Sequence, residues 1–295
     1  MAKPVVFVIG ASGNIGFSTT QALSTKYADK LEIRAGVRDP DKADKLKALP
    51  GVTVVKATQG DKEQLVKTFA GVSALYIVAP GTENRAELAI KTAEAAKEAG
   101  VKHLLVLSVP TYEVTSTVFG KQFTEIETAV SKLGVPYTFI RLPLFVENYF
   151  GFKETIQKMS TIILPVDPTK PYTPVVVADA GKAGAAILAD PSKHVNKGYC
   201  VVSNRHTHGD VAKVFSEVLG KEVTITTNKY EEAKQLLMSI GIPEWQADGG
   251  MELYKLIDSG STATNQQNLS SFKDITGEEP TSLKDWVTGV APAFK

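Results

Sequence analysis

The segment Ile9-Gly10-Ala11-Ser12-Gly13-Asn14-Ile15-Gly16 follows the apolar run Val5-Val6-Phe7-Val8 and carries glycines at intervals of three. That spacing makes a phosphate cradle. The first glycine permits a tight strand-to-helix turn, the second lets backbone approach a pyrophosphate, and the third lets the helix pack closely on the strand. The opening turn of the helix then presents unpaired N–H groups and the positive end of its dipole. A glycine triplet alone is a weak signal; its place after a strand and at the start of a helix gives it weight. About 20 residues further on, where an NAD site usually carries an acid, stands Arg38, with Lys42 one helical turn away. A guanidinium there pairs with a 2′-phosphate and can stack on adenine. Asp39 comes one position later, but the two cations favour NADP(H) as the cofactor.

Other residues invite a chemical reading. Phe145, Tyr149, Phe150 and Phe152 offer a flat apolar wall for a conjugated ring, and Trp245 a lid over it. His206 and His208 flank a capping Thr207 without further His or Cys nearby, so structural or surface roles are expected and no metal. Cys200, the sole cysteine, stands beside Val201 and Val202 and reads as strand core.

Positioning these groups requires a scaffold, and the first half of the chain supplies one. Strands are expected at 4–9, 31–37, 52–57, 73–79, 102–108 and 136–141, several of them almost continuous in Val, Ile and Leu. Such runs suit a parallel sheet covered on both faces. Between them lie helical periods: a capping-box pattern at Asp61 and Gln64 with Gly71 as the stop, an Ala-rich face from Ala86 to Gly100, and a face from 121 to 133 ended by Gly134 and Pro136. This alternation predicts an α/β fold, a Rossmann-type doubly wound parallel sheet. After about residue 142 the rhythm breaks: 164–174 contains four prolines in eleven residues and reads as a loop. A strand (173–178), a helix (180–189), a strand (199–203), a helix capped by Thr207 and Asp210 and closed by Gly220, and helices near 230–240 and 244–258 are expected beyond it. The expected organisation is an NADP-binding domain over 1–145 and a smaller, mostly helical substrate lobe over 146–295, part of which returns to the sheet.

The net charge of +1 offers no global field for nucleic acid, and the longest apolar runs are too short to span a bilayer. One cysteine allows no internal disulfide, and no secretory signal is visible, so a cytoplasmic location is expected.

Across most of its length the sequence resembles the NmrA-like branch of atypical short-chain dehydrogenase/reductases, a group of NADPH-dependent quinone and dye reductases and redox-sensing regulators. The carriers are GASGNIG, AGVRDPDKADKL, AAKEAGVKHLLVLS, GKQFTEIETAVSKLGVPYTFIRLPLFVENY, VVVADAGKAGAAILADPSKHVNKGY and GIPEWQADGGMELYKLIDSG. The resemblance implies that Gly10, Ser12, Gly13, Asn14, Ile15 and Gly16 line the phosphates and that Arg38 meets the 2′-phosphate. It implies Val78, Ala79 and Pro80 beside the adenosine ribose, Ser108 and Val109 near the nicotinamide, and Lys121 at the nicotinamide ribose. Pro143, Leu144, Phe145 and Asn148 would border the substrate cavity. Two departures matter. Thr58 replaces an acid that related sequences place near adenine. The Tyr-x-x-x-Lys motif of typical members is missing, since Thr117 stands four residues before Lys121 and Tyr112 has the wrong spacing.

Without that pair, alcohol–ketone interconversion lacks its proton handler. Hydride delivery to a quinone or similar conjugated acceptor asks less, because the product anion is delocalised and water can protonate it. The expected function is therefore an NADPH-dependent reductase of a small conjugated acceptor, with Lys121 as its candidate acid. Tyr112, Leu144, Phe145, Asn148, Tyr149, Phe152 and Trp245 are its candidate acceptor pocket. The alternative is a non-catalytic NADP(H) sensor acting through a protein partner. Neither nucleic acid nor a membrane is expected as a partner; the chain is read as a monomer or homodimer.

Overall fold

The computed structural model of the chain describes residues 2–295. Strands β1 (Val5–Ile9), β2 (Glu32–Val37), β3 (Val52–Lys56), β4 (Ala74–Ile77), β5 (His103–Ser108) and β6 (Tyr137–Arg141) fall inside the six expected segments. Helices α1 (Asn14–Tyr27), α2 (Asp44–Lys47), α3 (Lys62–Thr68), α4 (Arg85–Glu98) and α5 (Val118–Ser131) connect them. Beyond β6 come α6 (Lys153–Met159), β7 (Thr161–Leu164), β8 (Pro171–Tyr172), α7 (Val177–Ala189), β9 (Lys197–Cys200), β10 (His206–Thr207) and α8 (His208–Leu219). The chain ends through β11 (Thr224–Thr227), α9 (Tyr230–Ser239), α10 (Glu244–Asp258), α11 (Thr262–Asn265), α12 (Ser271–Thr276) and α13 (Leu283–Val290).

The main sheet has the order β3-β2-β1-β4-β5-β6-β9, with every pairing parallel. Alternation along each strand divides its core. Val6, Val8, Ile33, Ala35 and Tyr76 pack on one face, and Phe7, Ile9, Leu75, Ile77 and Leu104 on the other. Both faces are buried, hence the unbroken apolar runs. α1 and α7 cover the first face so closely that a Cβ on Gly181 would lie 2.1 Å from Ser18 Oγ. The second half of the chain thus returns to the sheet twice, through α7 and through β9 on the edge of β6. The remaining lobe has its own core of Ile156, Ile162, Phe215, Trp286 and Phe294.

Three local expectations need correction. The segment 173–178 is not a strand: Pro171–Tyr172 pair antiparallel with β10, Val175 makes a single parallel bridge with Phe145, and α7 begins at Val177. Pro171 and Pro174 have no N–H for a ladder, and the other amides find separate acceptors, Thr173 on Thr264 O and Val175 on Leu144 O. Asp61 does cap α3 by accepting from the Gln64 amide, but the Gln64 side chain accepts from Thr58 N instead of returning to the cap, so only half a capping box forms. β7 and β11, unforeseen, make a small parallel pair within the lobe. The box at Thr207 and Asp210 is complete, and Gly220 closes α8 at φ +67°.

Candidate active site

The order of the sheet reverses between β1 and β4, and a crevice opens there at the carboxyl ends of the strands, where doubly wound sheets bind ligands. The glycine loop forms one lip. Gly10 sits at φ +81°, and a Cβ there would come within 2.9 Å of Val78 O. A Cβ on Gly16 would fall 2.2 Å from Gly10 O, so only glycine lets α1 pack so near the turn. The Gly10 and Ala11 amides both donate to Gly36 O, which ties the loop to the end of β2. Gly13 caps α1 in an extended conformation with no side-chain cap, and the first turn holds no acid. Among the described residues no acceptor meets the amides of Asn14, Ile15 or Gly16. An anion is the natural partner for such a helix start, and the loop fits a dinucleotide pyrophosphate. Ser12 lies exposed at the loop tip.

Arg38 follows β2 on the same edge, exposed, with no carboxylate in salt-bridge contact among the described residues. Asp39 is occupied elsewhere. One of its oxygens accepts from the Asp41 amide at 3.1 Å, and the other lies 3.5 Å from Lys42 Nζ. The competing acid is thereby turned to a local cap, and Lys42 goes with it. Thr58 is half-buried at the end of β3; its neighbour Gln59 donates to Val78 O at 2.8 Å and abuts Gly10.

Beyond the loop lies a cavity of about 520 Å³. Its wall runs from Gly13, Asn14 and Ile15 past Val78, Ala79 and Val109 to Pro143, Leu144, Phe145 and Asn148. These ten positions, all named as candidates above, come together around one space. After β4 the cavity is bordered by Gly81, and the expected Pro80 lies outside its lining. The far wall was not foreseen: Phe119 and Phe123 of α5, Gln246 and Leu253 of α10, Thr264 of α11, Tyr172 of β8 and Arg85 at the start of α4.

Several expected residues lie outside this wall. Ser108 is buried and donates to Glu127 at 2.6 Å, while Arg141 grips the same carboxylate through Nε and Nη2 at 2.9 and 2.7 Å. The Arg141 guanidinium stacks 3.8 Å from the Tyr112 ring centre, which places Tyr112 in a separate hollow beside β6 and β9. Burial, with a hydrogen bond to Glu113, pushes the Tyr112 phenol up to about 12. Lys121 is exposed on the first turn of α5 and does not border the cavity. Thr117, where the motif tyrosine would stand, accepts from the Gly120 amide and caps that helix.

Tyr149 and Phe152 sit one layer behind the cavity, around a small hollow shared with Leu144, Phe145, Asn148, Tyr172 and His208. There the Tyr149 hydroxyl meets Tyr172 Oη at 2.9 Å and His208 Nδ1 at 2.5 Å, and His206 Nε2 meets Tyr172 Oη at 3.2 Å. Both histidines are interior and linked to tyrosines; burial pulls His206 down to about 4 and His208 to about 3, so they are neutral. Burial also pushes the Cys200 thiol up to about 12, an unreactive state. Trp245 stands behind Phe119, edge-on at 6.3 Å, and touches the site through Arg85. Neither Arg85 nor Tyr172 carried a sequence signal: each lies at an element end whose partners come from distant parts of the chain.

The fold and the crevice have known counterparts. The chain is 26% identical to the NAD(P)H azoreductase of Xenophilus azovorans, over 98% of this chain and 99% of that one. It is 26% identical to quinone oxidoreductase 2 of Escherichia coli K12, over 83% and 85% of the two chains. The crystal structure of the Citrobacter sp. triphenylmethane reductase complexed with NADP(H) superposes with a TM-score of 0.82 at 27% identity, covering 97% of this chain and 99% of that one. A sequence profile of the NmrA-like family matches residues 2–286. The chain belongs to the NmrA-like family.

Proposed function

We propose that the protein is an NADPH-dependent reductase that delivers hydride to a quinone or a similar flat, conjugated small molecule. The observation that carries this reading is the continuity of the glycine-loop cradle with an apolar, partly aromatic cavity large enough for a small ligand. The relatives' names, azoreductase, quinone oxidoreductase and triphenylmethane reductase, all point to conjugated acceptors.

The residues divide the work. The amides of Asn14, Ile15 and Gly16 hold the pyrophosphate, and Arg38 holds the 2′-phosphate. Val78 and Ala79 border the adenosine ribose. When bound, the reduced nicotinamide supplies a hydride, two electrons with one proton. Pro143, Leu144 and Phe145 hold the acceptor against it, and Phe119, Phe123 and Leu253 keep bulk water out. Orientation and water exclusion do most of the catalysis, because the reduced acceptor spreads its charge over a conjugated frame. Lys121 and Tyr112, outside the wall, are assigned no step.

The test is to mix the protein with NADPH and a panel of quinones, following nicotinamide absorbance, with NADPH binding measured alongside. Acceleration across part of the panel is expected. Binding without any turnover would reject the reductase and leave a sensor, which uses the same cradle.

A further inference from the structure

We propose that Arg85 is the specificity residue of the acceptor cavity, and that preferred acceptors carry an anionic substituent, a carboxylate, sulfonate or phosphate, which its guanidinium binds. This rests on reading the cavity as a reductase site. Among the described residues Arg85 is the only charged side chain lining the cavity. Its Cζ lies 5.3 Å from each of three ring centres, Phe119, Phe123 and Trp245. Aromatic faces attract a cation but leave the in-plane N–H donors free. The sole hydrogen bond it makes among the described residues is a long one, Nε to Thr82 O at 3.4 Å.

Among the described residues no carboxylate pairs with Arg85. Several acids nearby in sequence or on the packed helices are engaged elsewhere. Glu87 pairs with Lys91, Glu244 and Asp248 pair with Lys234, and Glu252 accepts from the Val118 amide at the start of α5. Glu83 is exposed and makes no ion pair with Arg85. A half-buried cation held by ring faces and one long hydrogen bond is under-compensated, and burial pulls its pKa down to about 10. An anion entering the cavity would restore the missing partner through a planar, two-pronged contact that a guanidinium makes and an ammonium does not. The surrounding rings are themselves anchored: a Cβ on Gly249 would meet the Phe119 ring at 2.6 Å, so α10 seats directly on α5 and fixes the cage.

Two quinones of matched frame test this, 1,4-naphthoquinone-2-sulfonate and 2-methyl-1,4-naphthoquinone. Binding to the cofactor-free protein can be read from quenching of tryptophan fluorescence, since Trp245 is one of only two tryptophans and touches Arg85. The wild type should bind the sulfonate about tenfold more tightly, a preference that shrinks as salt rises. Arg85→Met should remove that preference, weakening the sulfonate far more than the neutral quinone, and Arg85→Lys should keep part of it. The ratio of kcat/KM for the two quinones with NADPH should follow. Equal affinities in the wild type would overturn the proposal, as would equal losses for both quinones in Arg85→Met. A loss of NADPH affinity in Arg85→Met would also overturn it, by moving the guanidinium to the cofactor. If Arg85→Met does not fold, the salt dependence in the wild type and the Arg85→Lys variant still decide. Should neither quinone be reduced, the reductase reading fails while the binding comparison still reports on Arg85.

Discussion

Replacing Arg38 by Ala should separate the two nicotinamide cofactors. In the structure Arg38 is exposed on the ligand edge of the sheet without a carboxylate partner, while Asp39 is held by the Asp41 amide and Lys42. The guanidinium is therefore free to meet a 2′-phosphate without first breaking an ion pair. A hydrogen bond to a charged group contributes about 1.5–3 kcal/mol. Two such bonds to one phosphate would double that in a shielded site, but solvent screening at an exposed position removes much of it. A net loss of about 2 kcal/mol is expected, roughly thirtyfold in the NADPH dissociation constant. NADH lacks the phosphate and should change by less than about twofold, within the range of a surface substitution. Titration calorimetry with both cofactors at two salt concentrations measures this, and the NADPH loss should be larger at low salt. Equal losses for the two cofactors would show that Arg38 acts through folding or through the adenine, and the 2′-phosphate assignment would be refuted.

Three further outcomes follow from the geometry. Gly16→Ala places a methyl 2.2 Å from Gly10 O, so cofactor binding should be lost and stability should fall by about 1–3 kcal/mol; because Ala otherwise favours a helix by about 1 kcal/mol, a raised melting temperature would contradict the close packing. Lys121→Met should leave both NADPH affinity and quinone turnover within about twofold, and a collapse of kcat alone would make it the missing acid. Burial holds His103 and His206 at about 4 and His208 at about 3, below the ordinary 6.5. As pH drops below 6.5 the unfolded chain takes up protons that the fold refuses, so stability is full above that value and declines towards pH 4. Each histidine contributes about 1.4 kcal/mol per pH unit in that window. Urea midpoints at pH 7, 6 and 5 should fall steadily, with a shallower slope in His208→Gln; a flat profile would mean that these rings are hydrated.

Much of the cofactor half was legible in the sequence, because its determinants are local. A glycine that must take φ +81° at the end of β1, a cap at Thr207 and an alternation of Val6 and Val8 with Phe7 and Ile9 all act over a few residues. Local rules therefore located the cradle and the six strands, while the residues of the near wall came from the family resemblance. The acceptor half depended on contacts across long stretches of chain. Residues 85, 119, 123 and 245 make one cage; 149, 172, 206 and 208 make one hydrogen-bond chain. Tyr112 and Trp245 looked like pocket residues from their type, yet Arg141 and Phe119 drew them elsewhere. Likewise, prolines between β7 and α7 ruled out the ladder that the β-branched residues near 175–177 suggested. The sequence by itself determined the fold class and the phosphate-binding edge, since backbone freedom and periodicity encode both. Which side chains line the cavity was settled only by the folded arrangement, since those positions depend on how α5, α10 and β8 meet over the sheet.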